Sequence, residues 1–313
     1  MLKEDILYEL ETHRDMPISG QELADRFSVS RNAVWKVINS LKEEGYRISS
    51  TRNKGYMLEG TSDVLSKAGI LAELQGTAPD LEIRILDEVD STNNEAKRML
   101  ASGFSGKALI VAETQTMGRG RRGKSFYSPA GAGLYFSLIL PAGDMTDKIS
   151  MLTIVTACAV LRALKKKTDA PVQLKWVNDL FIGEKKLGGI LSEATTDLES
   201  GRTEAVVIGI GINLRKTAFP DELKEVAVAL NSQIPRNVLI AELVRELLSA
   251  DWARPEKELD FYRENSLVLS RKIWYEREEV LALEIDDTGA LVVQHGDGRE
   301  ETIRGGSIFL KKK

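Results

Sequence analysis

The chain has 313 residues and a net charge of -4, and 42% of its residues are hydrophobic and 29% are charged. This composition is typical of a globular chain of about two domains, and it excludes an overall attraction to nucleic acid, so that such a partner would need a local basic surface. The single cysteine, Cys158, excludes an intramolecular disulfide, and the two histidines exclude a zinc site built from cysteine and histidine.

The first ten residues, MLKEDILYEL, lack the long apolar core of a signal peptide. No apolar run in the chain reaches the roughly 18 residues that a membrane-spanning helix needs. A single cysteine is also compatible with a reducing compartment. We therefore expect a cytoplasmic protein without a membrane partner.

Residues 18–58 carry the pattern of a winged helix-turn-helix. Ser19 and Glu22 form a capping box that begins one helix, and Ser30 caps a second helix after a short break. The apolar residues of the second helix lie on one face. Two short segments around a loop at residues 51–55 predict a β-hairpin, which would be the wing.

The second helix and the wing are basic. From Arg26 to Leu58 there are seven lysines and arginines but only two acids. Because the second helix of such a module enters the major groove with its N-terminal residues, we predict DNA binding. The alternative is a protein-contact module with a solvated basic face. The predicted DNA contacts are Ser30, Arg31, Asn32, Trp35, Lys36, Asn39, Arg52 and Lys54.

From residue 81 onward the pattern becomes mixed α/β, after a connector with one short helix. Several strands follow one another without a helix, which predicts a mixed sheet rather than a parallel one. Strands are predicted at 82–87, 108–114, 133–140, 172–177, 188–195 and 205–214, a hairpin at 180–191, and helices at 92–102, 149–166, 236–250 and 252–264. From about residue 266 onward apolar and polar residues alternate between turns, which predicts a small β-barrel.

The segment GRGRRGKS, from Gly118 to Ser125, matches two phosphate-loop patterns. It fits the G-x-x-x-x-G-K-[ST] of a Walker A loop and the G-x-G-x-x-G of a dinucleotide-binding fingerprint. Both patterns require the loop to lead into a helix whose N-terminus holds the phosphates. Here Pro129 and Gly131 follow, and then an alternating strand, so no helix can begin at Lys124. We therefore reject a P-loop hydrolase and a dinucleotide-binding enzyme.

The same segment places four cations, Arg119, Arg121, Arg122 and Lys124, among glycines. Glycine makes such a loop mobile and the like charges repel, so we expect the loop to become ordered when an anion binds. The favoured interpretation is a lid that closes on a ligand with a polyphosphate. The alternative is an exposed basic loop without a function.

Five motifs connect the chain to a known family. They are DSTN at 90–93, Gln115 with GRGRRG at 118–123, LKWVNDL at 174–180, KLGGIL at 186–191 and GIGINL at 209–214. In this order they resemble biotin protein ligases, and behind a winged helix they resemble the bifunctional type that is also the biotin operon repressor. The resemblance covers essentially the whole chain. It implies a multidomain α+β fold: a winged helix-turn-helix at 1–62, a mixed-sheet ligase domain at 63–265 and an SH3-like barrel at 266–313.

The resemblance also implies a reaction and its partners. Biotin and ATP would form biotinyl-5′-AMP with Mg²⁺, and a lysine of the biotin carboxyl carrier domain of a carboxylase would then receive the biotin. Biotinyl-5′-AMP would act as corepressor, favouring a homodimer that binds operator DNA. Two alternatives stay open: a biotin-sensing repressor without transfer activity, and a lipoate-type acyl-adenylate ligase.

Site residues follow from the matched motifs. The implied biotin contacts are Ser91, Thr92, Asn93, Gln115, Arg119, Gly120, Arg121 and Lys186, of which Lys186, Arg121 and Arg119 would be catalytic. The implied nucleotide contacts are Arg122, Lys124, Lys175, Asn178 and Asn213, and Asp179 would bind the metal. Each has a structural alternative: Ser91 and Thr92 suit a helix cap, Lys186 an exposed hairpin and Asn213 a turn.

The sequence departs from the family pattern at three places. Val177 stands where proline is usual, and Phe126 stands where tryptophan is frequent, which would make one wall of the biotin pocket smaller. The segment YEREEV at 275–280 replaces the glycines that usually begin the barrel, so the first hairpin there is left open. No residue matches the aromatic that stacks on adenine in some members. Trp176 is expected in the core rather than against a ligand.

Overall fold

The structure is a computed structural model. It describes residues 2–51, 54–60, 62–143, 145, 149–196, 203–215 and 219–310, with the backbone alone for residues 149 and 150. The chain divides into two compact units: Met1–Pro79 with Gln233–Arg245, and Asp80–Ser232 with Glu246–Lys313. Among the described residues, no helix has both the length and the apolar character to cross a membrane.

Helices and strands follow the predicted order closely. The helices are α1 (Leu2–Thr12), α2 (Gly20–Arg26), α3 (Arg31–Glu43), α4 (Lys67–Leu74), α5 (Thr92–Ala101), α6 (Ile149–Lys167), α7 (Arg236–Ser249) and α8 (Leu259–Glu264). The strands are β1 (Ile48–Thr51), β2 (Gly55–Leu58), β3 (Leu81–Val89), β4 (Lys107–Gln115), β5 (Gly133–Pro141), β6 (Val172–Lys175), β7 (Asp179–Ile182), β8 (Lys185–Thr196), β9 (Thr203–Asn213), β10 (Lys272–Tyr275), β11 (Glu278–Ile285), β12 (Leu291–Gln294) and β13 (Glu300–Ile303). The helix predicted at 252–264 is shorter, because Pro255 begins a separate 3-10 turn before α8.

The first unit contains the predicted winged helix-turn-helix. Ser19 and Ser30 cap α2 and α3, where their hydroxyls accept hydrogen bonds from the amides of Glu22 at 3.0 Å and Ala33 at 3.2 Å. The antiparallel pair β1–β2 forms the wing. Apolar residues of all three helices and of the wing share one core.

This unit extends beyond the predicted boundary at residue 62. α4 belongs to it, since Ala68 is buried in the same core. The Asn237 side chain accepts a hydrogen bond from the Ser66 amide, 171 positions away, and donates to the Val64 carbonyl. Local sequence patterns cannot reveal such a distant pairing. The boundary at 265 between ligase domain and barrel stays a prediction, because both lie in the second unit.

The second unit is built on a seven-stranded mixed sheet, as predicted. Its strand order is β3-β4-β5-β9-β8-β7-β6, and β3 and β4 are its one parallel pair. α5 contacts β4, β5 and β9, and α6 contacts β6 and β8. The predicted hairpin at 180–191 is the antiparallel pair β7–β8, turning at Gly183, whose φ is 57°.

The arginine-rich loop joins β4 to β5 without an α-helix. A 3-10 turn at Arg121–Gly123 is its only helical part, and β5 follows ten residues after it. The helix that a Walker A loop or dinucleotide fingerprint requires is therefore missing, which confirms the rejection of both.

The C-terminal segment forms an antiparallel sheet of four strands in sequential order, β10 to β13. Its first hairpin turns at Glu276 and Arg277, which take left-handed φ values of 44° and 75° without glycine. Phe309 pairs with Trp274, so the end of the chain returns to the first strand. Trp176 is buried, as expected, and its indole N–H donates to the Gly289 carbonyl at 3.0 Å, although the residue also lines a cleft in this unit.

Candidate active site

One cleft of about 740 Å³ in the second unit collects residues from all five motifs. The walls come from the start of α5, the arginine-rich loop, the β6–β7–β8 ribbon and β9. Among the sequence-predicted residues, the cleft is lined by Ser91, Thr92, Asn93, Gln115, Arg119, Gly120, Arg121, Arg122, Lys124, Lys175, Asn178, Asp179 and Lys186.

Asn213 is the predicted residue that does not line the cleft. Its side chain is buried and donates to the Val228 carbonyl at 3.2 Å, so it fastens the segment after β9. The neighbouring Gly209, Ile210 and Gly211 line the cleft instead. This arrangement agrees with the structural alternative for Asn213 rather than with a direct nucleotide contact.

One end of the cleft is polar and buried. Ser91 occupies the N-cap position of α5, but its side chain makes no cap hydrogen bond, so capping does not explain this buried hydroxyl. The Thr92 amide donates to Gln115 Oε1 at 2.9 Å, and Gln115 Nε2 donates to the Ser128 hydroxyl at 2.9 Å. The Gln115 side chain is therefore held in one orientation beside Thr92.

The arginine-rich loop reaches two walls of the cleft. Arg119 donates to Asn94 Oδ1 on α5 at 2.8 Å, and Arg121 donates to Asn178 Oδ1 between β6 and β7 at 3.2 Å. The Gly120 amide closes the loop on the Lys124 carbonyl at 2.7 Å. Burial lowers the pKa of Arg121, and the neighbouring Arg122 lowers it further.

Lys124 connects this loop to the C-terminal segment. Its Nζ lies 5.6 Å from the centre of the Phe309 ring and 3.5 Å from Ser307 Oγ. A cation at this distance from a ring face is attracted by its quadrupole. Residues Gly306–Leu310 therefore form one edge of the cleft, next to the loop that the sequence predicted as a lid.

The β6–β7–β8 ribbon places two lysines around one carboxylate. Lys186 Nζ lies 2.6 Å from Asp179 Oδ1, and Lys175 Nζ lies 4.0 Å from Asp179 Oδ2. Burial lowers the pKa of Lys175 to about 8, against the opposing attraction of Asp179. Lys186 is half-buried and paired, so it is not the exposed hairpin charge of the structural alternative.

A magnesium ion would find few protein ligands here. No group of three or more histidines, cysteines and acids suited to a metal occurs in the part of the chain that the structure describes. Asp179 offers one carboxylate, which is the donor set with which Mg²⁺ binds when phosphates supply the remaining ligands. Asp179 could therefore hold a metal whose remaining ligands come from a nucleotide.

Several residues that line the cleft were not predicted from the sequence. They are Ser125, Trp176, Phe181, Glu184, Lys185, Gly189–Leu191, Gly209–Gly211, Glu222, Glu225, Val226 and Gly306–Leu310, together with Phe126, which was predicted only as a smaller wall. The segment at 222–226 reaches the cleft because the Lys186 amide donates to the Val226 carbonyl and the Val228 amide donates to the Lys186 carbonyl. No periodicity or motif in the sequence signals this backbone pairing.

The DNA-contact residues predicted on α3 lie mostly on its exposed side. Arg31, Asn32 and Lys36 are exposed, and 53% of Trp35 is accessible. Ser30 is exposed but its hydroxyl caps α3. Asn39 is partly buried, Lys54 is exposed, and Arg52 lies outside the described residues.

Comparison with known proteins agrees with this architecture. Residues 86–213 match the biotin/lipoate A/B protein ligase family, and residues 3–57 match the HTH domain. The bifunctional ligase/repressor BirA of Bacillus subtilis is 32% identical over 90% of both chains. The protein of the same name from Escherichia coli is 31% identical over 94% of this chain and 92% of its own.

The chain belongs to the family of bifunctional biotin ligase/repressors. A solved structure, the biotin protein ligase of Aquifex aeolicus in complex with biotin and ATP, shares the fold with a TM-score of 0.62 and 26% identity. The match covers 72% of this chain and 97% of that one. The family's two parts thus correspond to the winged helix-turn-helix and to the unit that contains the cleft.

Proposed function

We propose that the cleft joins biotin to ATP and then transfers biotin to a lysine of a biotin carboxyl carrier domain. The chain is a biotin protein ligase with a DNA-binding repressor module. The observation that carries the chemistry is that Lys186, Lys175 and Arg121 meet at the β6–β7–β8 ribbon of the cleft. Ser91, Thr92 and Gln115 line the same cleft beside β4, and β5 and β9 lie between the two groups in the sheet. This arrangement separates a cationic end from a neutral, hydrogen-bonding end.

The two ends suit the two halves of the ligand. The neutral end offers hydroxyl and amide groups to the ureido ring of biotin. The cationic end lies where a carboxylate and a triphosphate must meet, and fixed cations offset their repulsion without reorganisation. Lys186, with Arg119 and Arg121, would stabilise the charge that develops at the α-phosphate, while Arg122, Lys124, Lys175 and Asn178 would hold the nucleotide.

The proposed reaction has two steps. A biotin carboxylate oxygen attacks the α-phosphorus, the bond to the bridging oxygen breaks, and pyrophosphate leaves. The ε-amine of the acceptor lysine next attacks the acyl carbon, loses a proton and releases AMP. Mg²⁺ bound with the nucleotide would neutralise part of the phosphate charge, and Asp179 would be its protein ligand. No covalent enzyme intermediate is required.

Biotin-dependent exchange between ATP and pyrophosphate tests the first step. Exchange with biotin but not with lipoate is the expected result, and a folded protein without exchange would contradict the ligase proposal. Labelling of a carrier domain with biotin tests the second step. Exchange without labelling would instead support a biotin-sensing repressor that has lost transfer activity.

We also propose that biotinyl-5′-AMP is the corepressor. The arginine-rich loop would become ordered on the adenylate and favour a homodimer that places two winged helices on a palindromic operator. Arg121→Gly should loosen the adenylate and weaken dimerisation, as measured by sedimentation after incubation with biotin and Mg-ATP. Unchanged adenylate retention in that variant would remove the loop from the proposal. ATP, carrier domain and operator meet in the cytoplasm, so we propose that location.

A further inference from the structure

A row of polar side chains lies beneath Thr92, and two of its members, Ser137 and Glu193, belong to no motif. Ser137, in the middle of β5, is fully buried. Its Oγ lies 2.7 Å from the Thr92 hydroxyl oxygen and 2.6 Å from Asn93 Oδ1. The Asn93 amide nitrogen in turn donates to Glu193 Oε2 at 2.7 Å and to the Leu191 carbonyl at 3.2 Å.

The charge on Glu193 fixes the orientation of the Asn93 amide. Burial opposes ionisation of Glu193, but hydrogen bonds from Lys97 and Asn93 outweigh it and hold the pKa of this carboxyl below its usual range. An ionised carboxylate can only accept hydrogen bonds, and so can the Leu191 carbonyl. The NH₂ group of Asn93 must therefore face both, and Oδ1 must face Ser137.

The hydroxyl hydrogens can then be assigned. Ser137 has one hydroxyl hydrogen, and Asn93 Oδ1 must receive it because that oxygen has none to give. In the 2.7 Å contact between the two hydroxyls, the hydrogen must therefore come from Thr92. The other neighbour of the Thr92 hydroxyl is Gln115 Oε1, at 3.3 Å. This oxygen already accepts a hydrogen bond from the Thr92 amide, at 2.9 Å.

We propose that Glu193, Asn93 and Ser137 are positioning residues that leave the Thr92 hydroxyl oxygen as an acceptor for an N–H group of the ligand. The inference rests on the proposed function, since the ureido ring of biotin supplies such N–H groups. Asn93 acts through Thr92 instead of contacting biotin itself. Gly209 leaves the space that Asn93 needs in this position, because a side chain at residue 209 would overlap Asn93 Oδ1.

The chain offers a matched control on the adjoining part of the sheet. Ser192 on β8 is buried as well, but its Oγ has no hydrogen-bond partner within the residues described. Ser192→Ala therefore removes a buried hydroxyl without touching the row. Ser137→Ala removes the hydroxyl that joins Thr92 to Asn93, and Ser137→Thr keeps it.

The experiment measures biotin affinity by calorimetry and exchange kinetics in the full chain. Ser137→Ala should raise both the Kd and the KM for biotin about tenfold, the loss expected for a broken hydrogen bond to a ligand-binding group. The KM for ATP and the rate at saturating biotin should stay within about twofold. Ser137→Thr should restore biotin affinity, and Ser192→Ala should leave it unchanged.

Three outcomes would overturn the inference. The first is a Ser137→Ala variant that binds biotin as tightly as the unaltered protein. The second is a Ser137→Ala variant that loses affinity for biotin and ATP alike, since that pattern marks a structural role. If Ser137→Ala does not fold, Glu193→Ala must show the same loss that is specific to biotin, and equal affinity there counts against the proposal. An unaltered protein that binds biotin but lacks exchange contradicts the ligase function and leaves the positioning role testable by calorimetry alone.

Discussion

Lys175 and Asp179 face each other as cross-strand partners where β6 turns into β7, with Lys175 Nζ 4.0 Å from Asp179 Oδ2. Burial outweighs this attraction and lowers the pKa of Lys175 from its ordinary 10.5 to about 8. The charge that the proposed mechanism needs at this position is therefore lost in a pH range where the enzyme can be assayed.

The affinity for ATP should consequently fall with rising pH. As pH rises through about 8, Lys175 becomes neutral and the KM for ATP should increase several-fold between about pH 7 and 9. Lys175→Arg keeps its charge over this range, so its KM should vary less with pH. Steady-state exchange kinetics at saturating biotin measure both. Parallel pH profiles for the two proteins would show that another group titrates.

Lys175 should also lower the stability of the folded protein. Between about pH 8 and 10.5 the folded state binds fewer protons at this site than the unfolded state, so the free energy of unfolding rises with pH in that window. Lys175→Met removes the desolvated charge and should stabilise the protein at pH 7 by about 1–2 kcal/mol, at the expense of activity. Chemical denaturation at pH 7 and 10 provides the measurement. A less stable variant at pH 7 would contradict this account.

Lys186 should be required for adenylate formation. Lys186→Ala removes the cation 2.6 Å from Asp179 and should lower the exchange rate by about 10²- to 10³-fold, the loss seen when one donor to a developing charge is deleted. Lys272→Ala, which removes a solvent-exposed lysine of β10, is the matched control and should keep full activity. A loss of less than about threefold in Lys186→Ala would exclude a role in catalysis.

Gly211 should tolerate no side chain. A Cβ at this position would lie 2.6 Å from the Phe126 ring, which forms one wall of the cleft. Gly211→Ala should raise the KM for biotin and destabilise the second unit by about 1–3 kcal/mol. Gly296→Ala, which meets no atom within 4 Å, is the control. Equal biotin affinity in both variants would place the ligand away from Phe126.

Helix α3 should contain residues that contact DNA and residues that stabilise the helix, and operator binding and stability should distinguish them. Lys36 is exposed, so Lys36→Ala should weaken DNA binding and reduce the salt-dependence slope by about 1 without changing stability. Ser30 caps the helix, so Ser30→Ala should cost about 1 kcal/mol of stability. Lys67→Ala on α4 is the control for charge. Fluorescence anisotropy at several salt concentrations measures the DNA affinity of each variant. An unchanged salt-dependence slope in Lys36→Ala would exclude a phosphate contact.

Local features of the sequence predicted most of the fold. Ser19 and Ser30 are helix caps because a hydroxyl before a helix satisfies amides within three residues, and no distant contact is needed. Pro129 and Gly131 excluded a helix after Lys124 for a similarly local reason, since proline and glycine restrict or loosen the backbone at their own positions. The order of the five motifs similarly indicated the family.

Sequence patterns alone were therefore sufficient for the secondary-structure elements and the mixed sheet, and the motifs indicated part of the lining of one cleft. The tertiary structure decided which of these residues face the cleft and which support it. Asn213 turns toward Val228 instead, and Asn93 is enclosed by Ser137 and Glu193, which no motif marks. The physical reason is that hydrogen bonds between polar groups join segments far apart in the sequence, 100 positions for Asn93 and Glu193, and their partners are fixed only when the fold brings those segments together.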